Sequence, residues 1–193
     1  MYNNNTPYIS EHYTKMDYLN LHLSCNSNEA TFDSAIRMFV DRIESRFTNQ
    51  INTLSSDCNL NGFSIMALEC LLIETFAQFK NGLDDTQGAS KAVYTAFLRN
   101  DLQCFASQNI ANAFYSNIRC GILHQAQTKP GSGLTFGMSK AIDYRQGFLM
   151  VSVDRFIEEM DSYFAEYCRR LHNRSEVLLR QNFIQKMDFI CHR

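Results

Sequence analysis

The sequence predicts an all-α fold, a helical bundle with a small β-hairpin attached. Apolar residues recur every three or four positions over most of the chain, as the buried face of an amphipathic helix requires. Only eight Gly and two Pro occur in 193 residues, too few for the many turns of a β-sandwich or barrel. The hydrophobic fraction of 45% is that of a globular chain that buries a core.

The chain is expected to consist of an N-terminal arm and one domain. Residues 1–28 are rich in Asn, Ser and Tyr without a sustained period, which predicts a loose arm that docks late. Residues 29–193 contain no repeat, low-complexity tract or linker and are expected to form a single domain. Within it, an amphipathic helix of about seven turns is predicted from near Asn28 to Leu54, because apolar residues recur there at helical spacing.

The next helices are predicted from their apolar periods and from the turns between them. Residues 57–62 predict a turn, and a helix that is apolar nearly all round, and therefore central, follows from about Phe63 to Lys80. Asn81-Gly82 has the residue types of a left-handed C-cap that ends this helix. Further helices are predicted over about 89–99 and 107–128.

The segment 130–151 departs from the helical pattern. Short apolar stretches at 134–136 and 148–151, the second preceded by a turn at 144–148, predict a β-hairpin. Ser152 is the expected N-cap of the next helix, whose buried stripe ends near Leu171. A final helix is predicted over about 175–189.

Charge, cysteine usage and hydropathy limit the classes of function. With 18 Lys+Arg against 20 Asp+Glu, the net charge of −2 excludes a general polyanion binder, so a nucleic acid must be bound by a local patch. The seven Cys include no CxxC pair, which predicts reduced thiols rather than a disulfide framework. No signal peptide is evident and no apolar run approaches the ~18 residues of a membrane span, so we expect a cytoplasmic protein without a membrane partner.

The fourth predicted helix carries the residues best suited to chemistry, Arg119 and His124. An imidazole exchanges protons near neutral pH, and a guanidinium binds two phosphate oxygens at once, so the pair suits metal-independent cleavage of RNA. Residues five apart differ by ~140° around an α-helix, which separates the two side chains. A distortion near Gly121, a long reach of the arginine, or pairing of two helices in a symmetric dimer would bring them together. A purely structural Arg–His pair is the alternative.

The string Arg119-Cys-Gly-Ile-Leu-His124 resembles the Arg-x(4–6)-His signature of the HEPN superfamily, and residues 65–76 look like the companion helix of that bundle. The similarity extends over about 29–190 in organisation and is specific over 63–82 and 114–129. It implies a HEPN-like homodimer with the motif facing its symmetry mate. It also implies a metal-independent endoribonuclease of a toxin–antitoxin, phage-defence or CRISPR-associated system, with RNA as substrate and an antitoxin-like or other protein as a possible partner.

The resemblance implies that His124 transfers protons and that Arg119 stabilises the charge of the phosphorane. Many active members carry Asn, Asp or His directly after the Arg, whereas this chain carries Cys120, whose thiol is a poor hydrogen-bond donor. A non-catalytic HEPN-like module that binds RNA, a nucleotide or a partner protein therefore stays open. The nuclease requires Arg119 and His124 to be accessible and within reach of each other or of their symmetry mates, whereas the binding module tolerates Arg119 in a salt bridge.

Further side chains are candidates for supporting roles and for substrate contact. We expect no cofactor and no metal, because nothing places further ligands beside Cys120 and His124, which share one helix face. Two acids five residues apart, one of which would orient Arg119 or His124, join Cys120 as supporting candidates, namely Glu69 and Glu74. The substrate-binding candidates are Tyr115, Lys129 and Arg145.

Overall fold

A computed structural model describes residues 8–192, and helices make up most of them. The α-helices are α1 (Lys15–Leu19), α2 (Glu29–Ile43), α3 (Asn49–Ser55), α4 (Cys58–Asn81), α5 (Ser90–Asp101), α6 (Gln108–Ala113), α7 (Cys120–Gln125), α8 (Val153–His172) and α9 (Val177–His192). Two π-helical segments, Glu44–Thr48 and Phe114–Arg119, join α2 to α3 and α6 to α7. The strands are β1 (Ser132–Thr135), β2 (Ile142–Arg145) and β3 (Phe148–Ser152).

The mostly helical chain with a small sheet confirms the predicted class in its coarse form, but the strand pairing differs from the prediction. The two stretches expected to form a hairpin are β1 and β3, and they pair in parallel. The hairpin joins β3 to β2, which the sequence analysis missed, through a two-residue turn at Gln146 and Gly147 that both have positive φ. The sheet order is β1-β3-β2. A parallel pair needs the longer connection that 136–147 provides.

The turn predicted at 57–62 is wrong, because most of it is the first part of α4. A Cβ at Gly62 would lie 2.9 Å from Cζ of Phe136. The glycine therefore serves a close approach between this helix and the aromatic ring rather than a reversal of the chain. The first predicted helix, near Asn28 to Leu54, corresponds to α2 and α3 with a π-helical segment between them.

The N-terminal segment is more ordered than the loose arm that the sequence predicted. Residues 1–7 lie outside the described part of the chain. Helix α1 begins with a capping box between Thr14 and Asp17. Tyr18 on this helix is 2% exposed, and its hydroxyl donates to Asp188 of α9 at 3.0 Å. Residues 15–19 are therefore a helix docked through a buried phenol, although the composition alone has no helical period there.

The described residues belong to two compact units. Unit 1 comprises the described parts of Met1–Gln50, Gln78–Asp85 and Glu166–Arg193, and unit 2 comprises Ile51–Ala77 and Thr86–Ala165. The single domain expected over 29–193 stays a prediction, and each unit is described by itself.

Aromatic rings form the core of unit 1. Phe39 is fully buried, and its ring centroid lies 4.5 Å from that of Phe79 and 5.6 Å from that of Phe183. Tyr167 contacts Phe39 at a centroid distance of 5.8 Å, and Phe32 contacts Phe183 at 5.9 Å. Offset and edge-on ring pairs of this kind stabilise a core beyond the apolar area that they bury.

In unit 2 the core fixes the inner face of the helix that carries Arg119. Phe114 is fully buried and stacks on Phe156 of α8 at a centroid distance of 5.2 Å. Phe105 meets the Phe114 ring edge-on at 5.3 Å, and Ile118 is also fully buried one turn further along. Because these side chains anchor one face of the helix, the residues that follow are held at a defined rotation.

One described helix, Asn59–Asn81, is long and apolar enough to cross a membrane, with a mean hydropathy of 1.4 over its window. The expectation that no apolar run approaches a membrane span is therefore not met. Half of that window is buried inside the protein. A core helix of a water-soluble protein has the same length and composition, so this single helix is weak evidence for a span.

Candidate functional site

A π-helical segment leads directly into the Arg–His motif. Ser107 caps α6, because its Oγ accepts the backbone N–H of Ile110 at 3.4 Å. The helix then widens over Phe114–Arg119 and returns to α-geometry at Cys120. A π-helical turn closes its hydrogen bonds one residue later than an α-helical turn, and such turns often mark functional sites. The distortion ends at Arg119 and does not lie near Gly121, which was one of the routes that the sequence left open.

The structure brings Arg119 and His124 together within one chain. Nη1 of Arg119 lies 3.4 Å from Nε2 of His124. The ~140° between positions five apart is spanned by the long arginine side chain, the second of the routes that the sequence left open. The imidazole is exposed to solvent, whereas the side chain of Arg119 is only 15% exposed. A phosphate group can therefore reach the pair from the His124 side.

Glu74 on α4 holds the other side of the guanidinium. Nη2 of Arg119 donates to Oε2 of Glu74 at 3.0 Å, and the Glu74 side chain is 19% exposed. The second oxygen, Oε1, accepts the hydroxyls of Thr86 at 2.5 Å and Ser90 at 3.3 Å. Burial raises the pKa of Glu74, but the donors Thr86, Arg119 and Ser90 outweigh it and hold the pKa below its ordinary value. The carboxylate is therefore ionised at neutral pH.

The guanidinium of Arg119 also lies over an aromatic ring. Its central carbon is 5.4 Å from the centroid of Tyr115, a cation–π distance. Tyr115 in turn meets Tyr94 edge-on at a centroid distance of 5.3 Å. The Tyr115 ring, a predicted substrate contact, therefore already contacts both Arg119 and Tyr94. Burial lowers the pKa of Arg119, but the bond to Glu74 outweighs it and raises the pKa above its usual value, so the arginine stays charged.

Of the two candidate acids, Glu74 and not Glu69 joins the site. Glu69 is 1% exposed, and its Oε2 has no hydrogen-bond partner among the described residues. Burial, followed by the nearby charge of Asp161, raises the pKa of Glu69 well above its ordinary value. Cys120 is half-buried beside Arg119. Within residues 8–192, no group of three His, Cys, Asp or Glu side chains is arranged to hold a metal ion.

The chain after the motif folds back onto it. Helix α7 is followed by the C-cap Ala126, whose φ of 55° is left-handed, and the backbone N–H of Lys129 then donates to the carbonyl of Asn117 at 3.0 Å. The backbone of Lys129, a predicted substrate contact, is thereby held beside the π-helical segment. Arg145 lies on the hairpin with its side chain 82% exposed, 3.0 Å from Asp143.

Gly121 makes this return possible, so we expect Gly121→Ala to displace the loop 127–129. A Cβ there would lie 2.6 Å from the carbonyl oxygen of Gln127 and 3.1 Å from the nitrogen of Lys129, and both are backbone atoms. The strain should lower the free energy of unfolding by about 1–3 kcal/mol, as overpacking does. Urea unfolding measures the loss, and hydrogen exchange should show faster exchange of the Lys129 amide. As a control, Ala126→Gly relieves the left-handed position and should not destabilise the chain.

Thr86 and Ser90 are the site residues that the sequence analysis missed. Both lie beyond the turn that follows α4, and no helical or strand period relates them to Glu74 twelve or more positions earlier. The one available signal was their type, because hydroxyl side chains bind carboxylates readily. Their contact with Glu74 leaves one carboxylate oxygen for Arg119.

Comparisons with known proteins yield no relative of this chain. No protein-family model matches it, and neither curated proteins nor solved structures give a significant match. The functional argument therefore depends on the geometry of Arg119, His124 and Glu74.

Proposed function

We propose that the protein is a metal-independent endoribonuclease of HEPN type. The observation that carries this proposal is the arrangement of Arg119, which lies 3.4 Å from His124 on one side and 3.0 Å from Glu74 on the other. It places a fixed positive charge beside an exposed imidazole. That combination is what in-line cleavage of a ribose phosphodiester needs.

In the proposed reaction the 2′-oxygen of one ribose attacks the adjacent phosphorus. The O2′–P bond forms and the P–O5′ bond breaks, which leaves a 2′,3′-cyclic phosphate and a free 5′-hydroxyl. His124 accepts the proton of the 2′-hydroxyl or donates one to the departing 5′-oxygen, and Arg119 stabilises the charge that builds up on the phosphorane oxygens. Lys129 and Arg145 would contact neighbouring phosphates.

A homodimer belongs to the proposal, because one imidazole then serves as base while the imidazole of the other copy serves as acid. Helix α4 offers a face for it. Three apolar side chains on that face are unusually exposed, Leu60 by 82%, Phe63 by 46% and Leu71 by 44%. At ~100° per residue these positions lie within ~80° of one another, and Glu74 falls in the same sector. A second copy that covers this stripe would therefore approach the Arg119–His124 site.

A non-catalytic module for RNA, a nucleotide or a protein such as an antitoxin is the second candidate. It is favoured by the bond between Arg119 and Glu74, because a guanidinium already paired has fewer free N–H groups for a transition state. Cys120, in place of a stronger hydrogen-bond donor, favours it as well. A cytoplasmic location and a setting in defence or toxin–antitoxin systems are proposed for either candidate.

The test is cleavage of a mixed structured RNA in EDTA by the purified protein. We expect 2′,3′-cyclic phosphate ends, and His124→Ala should lower the rate at least ~100-fold. His172→Ala is the matched control, because this exposed histidine pairs with Asp33 in unit 1 and should leave the rate unchanged. Cleavage that survives His124→Ala, or no cleavage by the wild-type dimer, would contradict the nuclease and favour the binding module.

A further inference from the structure

The small sheet presents one face to the core and another to solvent. Leu149 and Val151 of β3 are fully buried, and they alternate with Phe148, which is 45% exposed, and half-buried Met150. The register pairs Arg145 with Phe148 across the hairpin, so the two side chains leave the same face. The outer face therefore combines an accessible aromatic ring with a neighbouring guanidinium.

A glycine keeps the surface beside the ring open. Gly133 of β1 pairs with Met150, and a Cβ there would lie 3.5 Å from the sulfur of Met150 and 3.7 Å from Cζ of Phe148. Any side chain at this position would cover the edge of the ring. The glycine therefore leaves this edge of Phe148 and the thioether of Met150 uncovered.

The outer face carries one cation, Arg145, opposite Phe148, and one acid, Asp143, opposite Met150. Arg145 pairs with Asp143, but their side chains are 82% and 40% exposed. Such an exposed pair is weak, so a phosphate can compete for the guanidinium. Arg145 on this face can therefore bind a phosphate.

The hairpin contacts the loop that follows the helix of Arg119 and His124. Phe148 follows the hairpin turn, where the carbonyl oxygen of Gly147 lies 3.6 Å from a Cβ built at Gly131. The loop that contains Gly131 packs directly on Gly121 of α7, through the backbone of residues 127–129. The loop 126–131 therefore joins the helix of His124 to the hairpin that carries Phe148.

We propose that the outer face of the sheet is a binding platform for single-stranded RNA, on which a base stacks on Phe148 while Arg145 binds the adjacent phosphate. The proposal builds on the proposed function, because it assigns the substrate class of the same site. A single strand is required, since only an unpaired and unstacked base exposes its flat face to an aromatic ring. Such stacking tolerates any base, so the platform fits a nuclease of broad sequence preference.

The test measures binding of a fluorescein-labelled single-stranded oligoribonucleotide by anisotropy, in the His124→Ala background so that cleavage does not interfere. We expect Phe148→Ala to weaken binding about 10-fold, within the range reported for loss of one stacked base, and Phe148→Tyr to retain it. Tyr144→Ala is the matched control, because this tyrosine is 38% exposed on the opposite face of the same hairpin. It should change the affinity less than about 2-fold, since it removes no stacking ring from the platform.

Four outcomes would overturn the platform. Equal losses in the Phe148 and Tyr144 variants would indicate general damage to the hairpin. Full affinity in Phe148→Leu would mean that apolar contact and not ring stacking matters, and a change in oligomeric state in Phe148→Ala would assign the face to a protein contact. Equal affinity for duplex RNA would exclude stacking on an unpaired base. Binding that depends on the Phe148 ring, in a protein whose wild type does not cleave RNA, would support the platform and reject the nuclease. Failure of the platform and failure of the proposed function are therefore distinguishable.

Discussion

Arg119→Ala is expected to lower the rate of RNA cleavage at least ~100-fold, the loss that follows removal of one preorganised donor to a developing oxyanion. The substitution removes the only arginine that contacts both Glu74 and His124 among the described residues. It should act on kcat more than on KM, because the guanidinium is proposed to bind the phosphorane more strongly than the ground-state phosphate. The measurement is single-turnover cleavage in EDTA.

Arg99→Ala is the matched control, since Arg99 is exposed on α5 and its removal should leave the rate unchanged. Arg119→Lys keeps the charge but loses the planar fork, so an intermediate rate is expected. A fall in rate that Arg99→Ala reproduces, or full activity in Arg119→Ala, would reject the proposed role.

Arg119→Ala should also lower the free energy of unfolding at neutral pH by about 1–3 kcal/mol, because Glu74 would keep its charge in a mostly enclosed site after losing this partner. The pKa of Glu74 in the folded protein lies below its ordinary value, so the carboxylate contributes stability above its unfolded pKa and loses it as pH falls through the folded pKa. Arg119 is one cause of that lowered pKa. The stability difference between wild type and Arg119→Ala should therefore shrink on acidification, which urea unfolding at several pH values would measure.

The second large effect is expected on folding. Phe39→Ala should lower the free energy of unfolding by about 3–5 kcal/mol, the usual cost of truncating a buried aromatic ring. Phe39 is fully buried, and its ring contacts those of Phe79, Tyr167 and Phe183. The vacated volume lies among large rigid rings, which relax poorly into it.

Thermal and urea unfolding measure this loss, and Phe39→Leu should lose less because it leaves a smaller cavity. Leu178→Ala serves as the control, because that leucine is 70% exposed and should change stability by less than about 0.5 kcal/mol. A loss below about 1 kcal/mol for Phe39→Ala would mean that the ring cluster is not the core of unit 1.

Much of the helical fold was predictable, because it depends on apolar periods within single segments. The helix that carries Phe114 and the cap at Ser107 are local features of this kind. The strand pairing was not predictable, since β1 and β3 are parallel and joined by a connection whose geometry no local pattern specifies. The capping box at Thr14 was a local signal too, but α1 is only five residues long and has no repeat to reveal it.

The candidate site also contains residues that could be predicted from the sequence and residues that could not. Arg119 and His124 were predictable from residue chemistry, and Glu74 was one of two acids with equal claims. The choice between Glu69 and Glu74 depends on the rotation of α4 against its neighbours, which buries the first and turns the second towards Arg119. Thr86 was not predictable, because its contact with Glu74 follows from how the chain returns after α4.

Because of the π-helical turn over Phe114–Arg119, the site depends on the rotation of the helix about its axis as well as on residue identity. A single residue removed between 114 and 118 would restore the 3.6-residue repeat and rotate everything downstream by ~100° relative to the anchored ring of Phe114. Arg119 and His124 would keep their spacing, yet both would turn away from Glu74. A sequence comparison restricted to the segment from the arginine to the histidine would not distinguish the wild type from this deletion variant. The register of the preceding helix is thus as necessary to the site as the motif, although none of the motif's own residues specifies it.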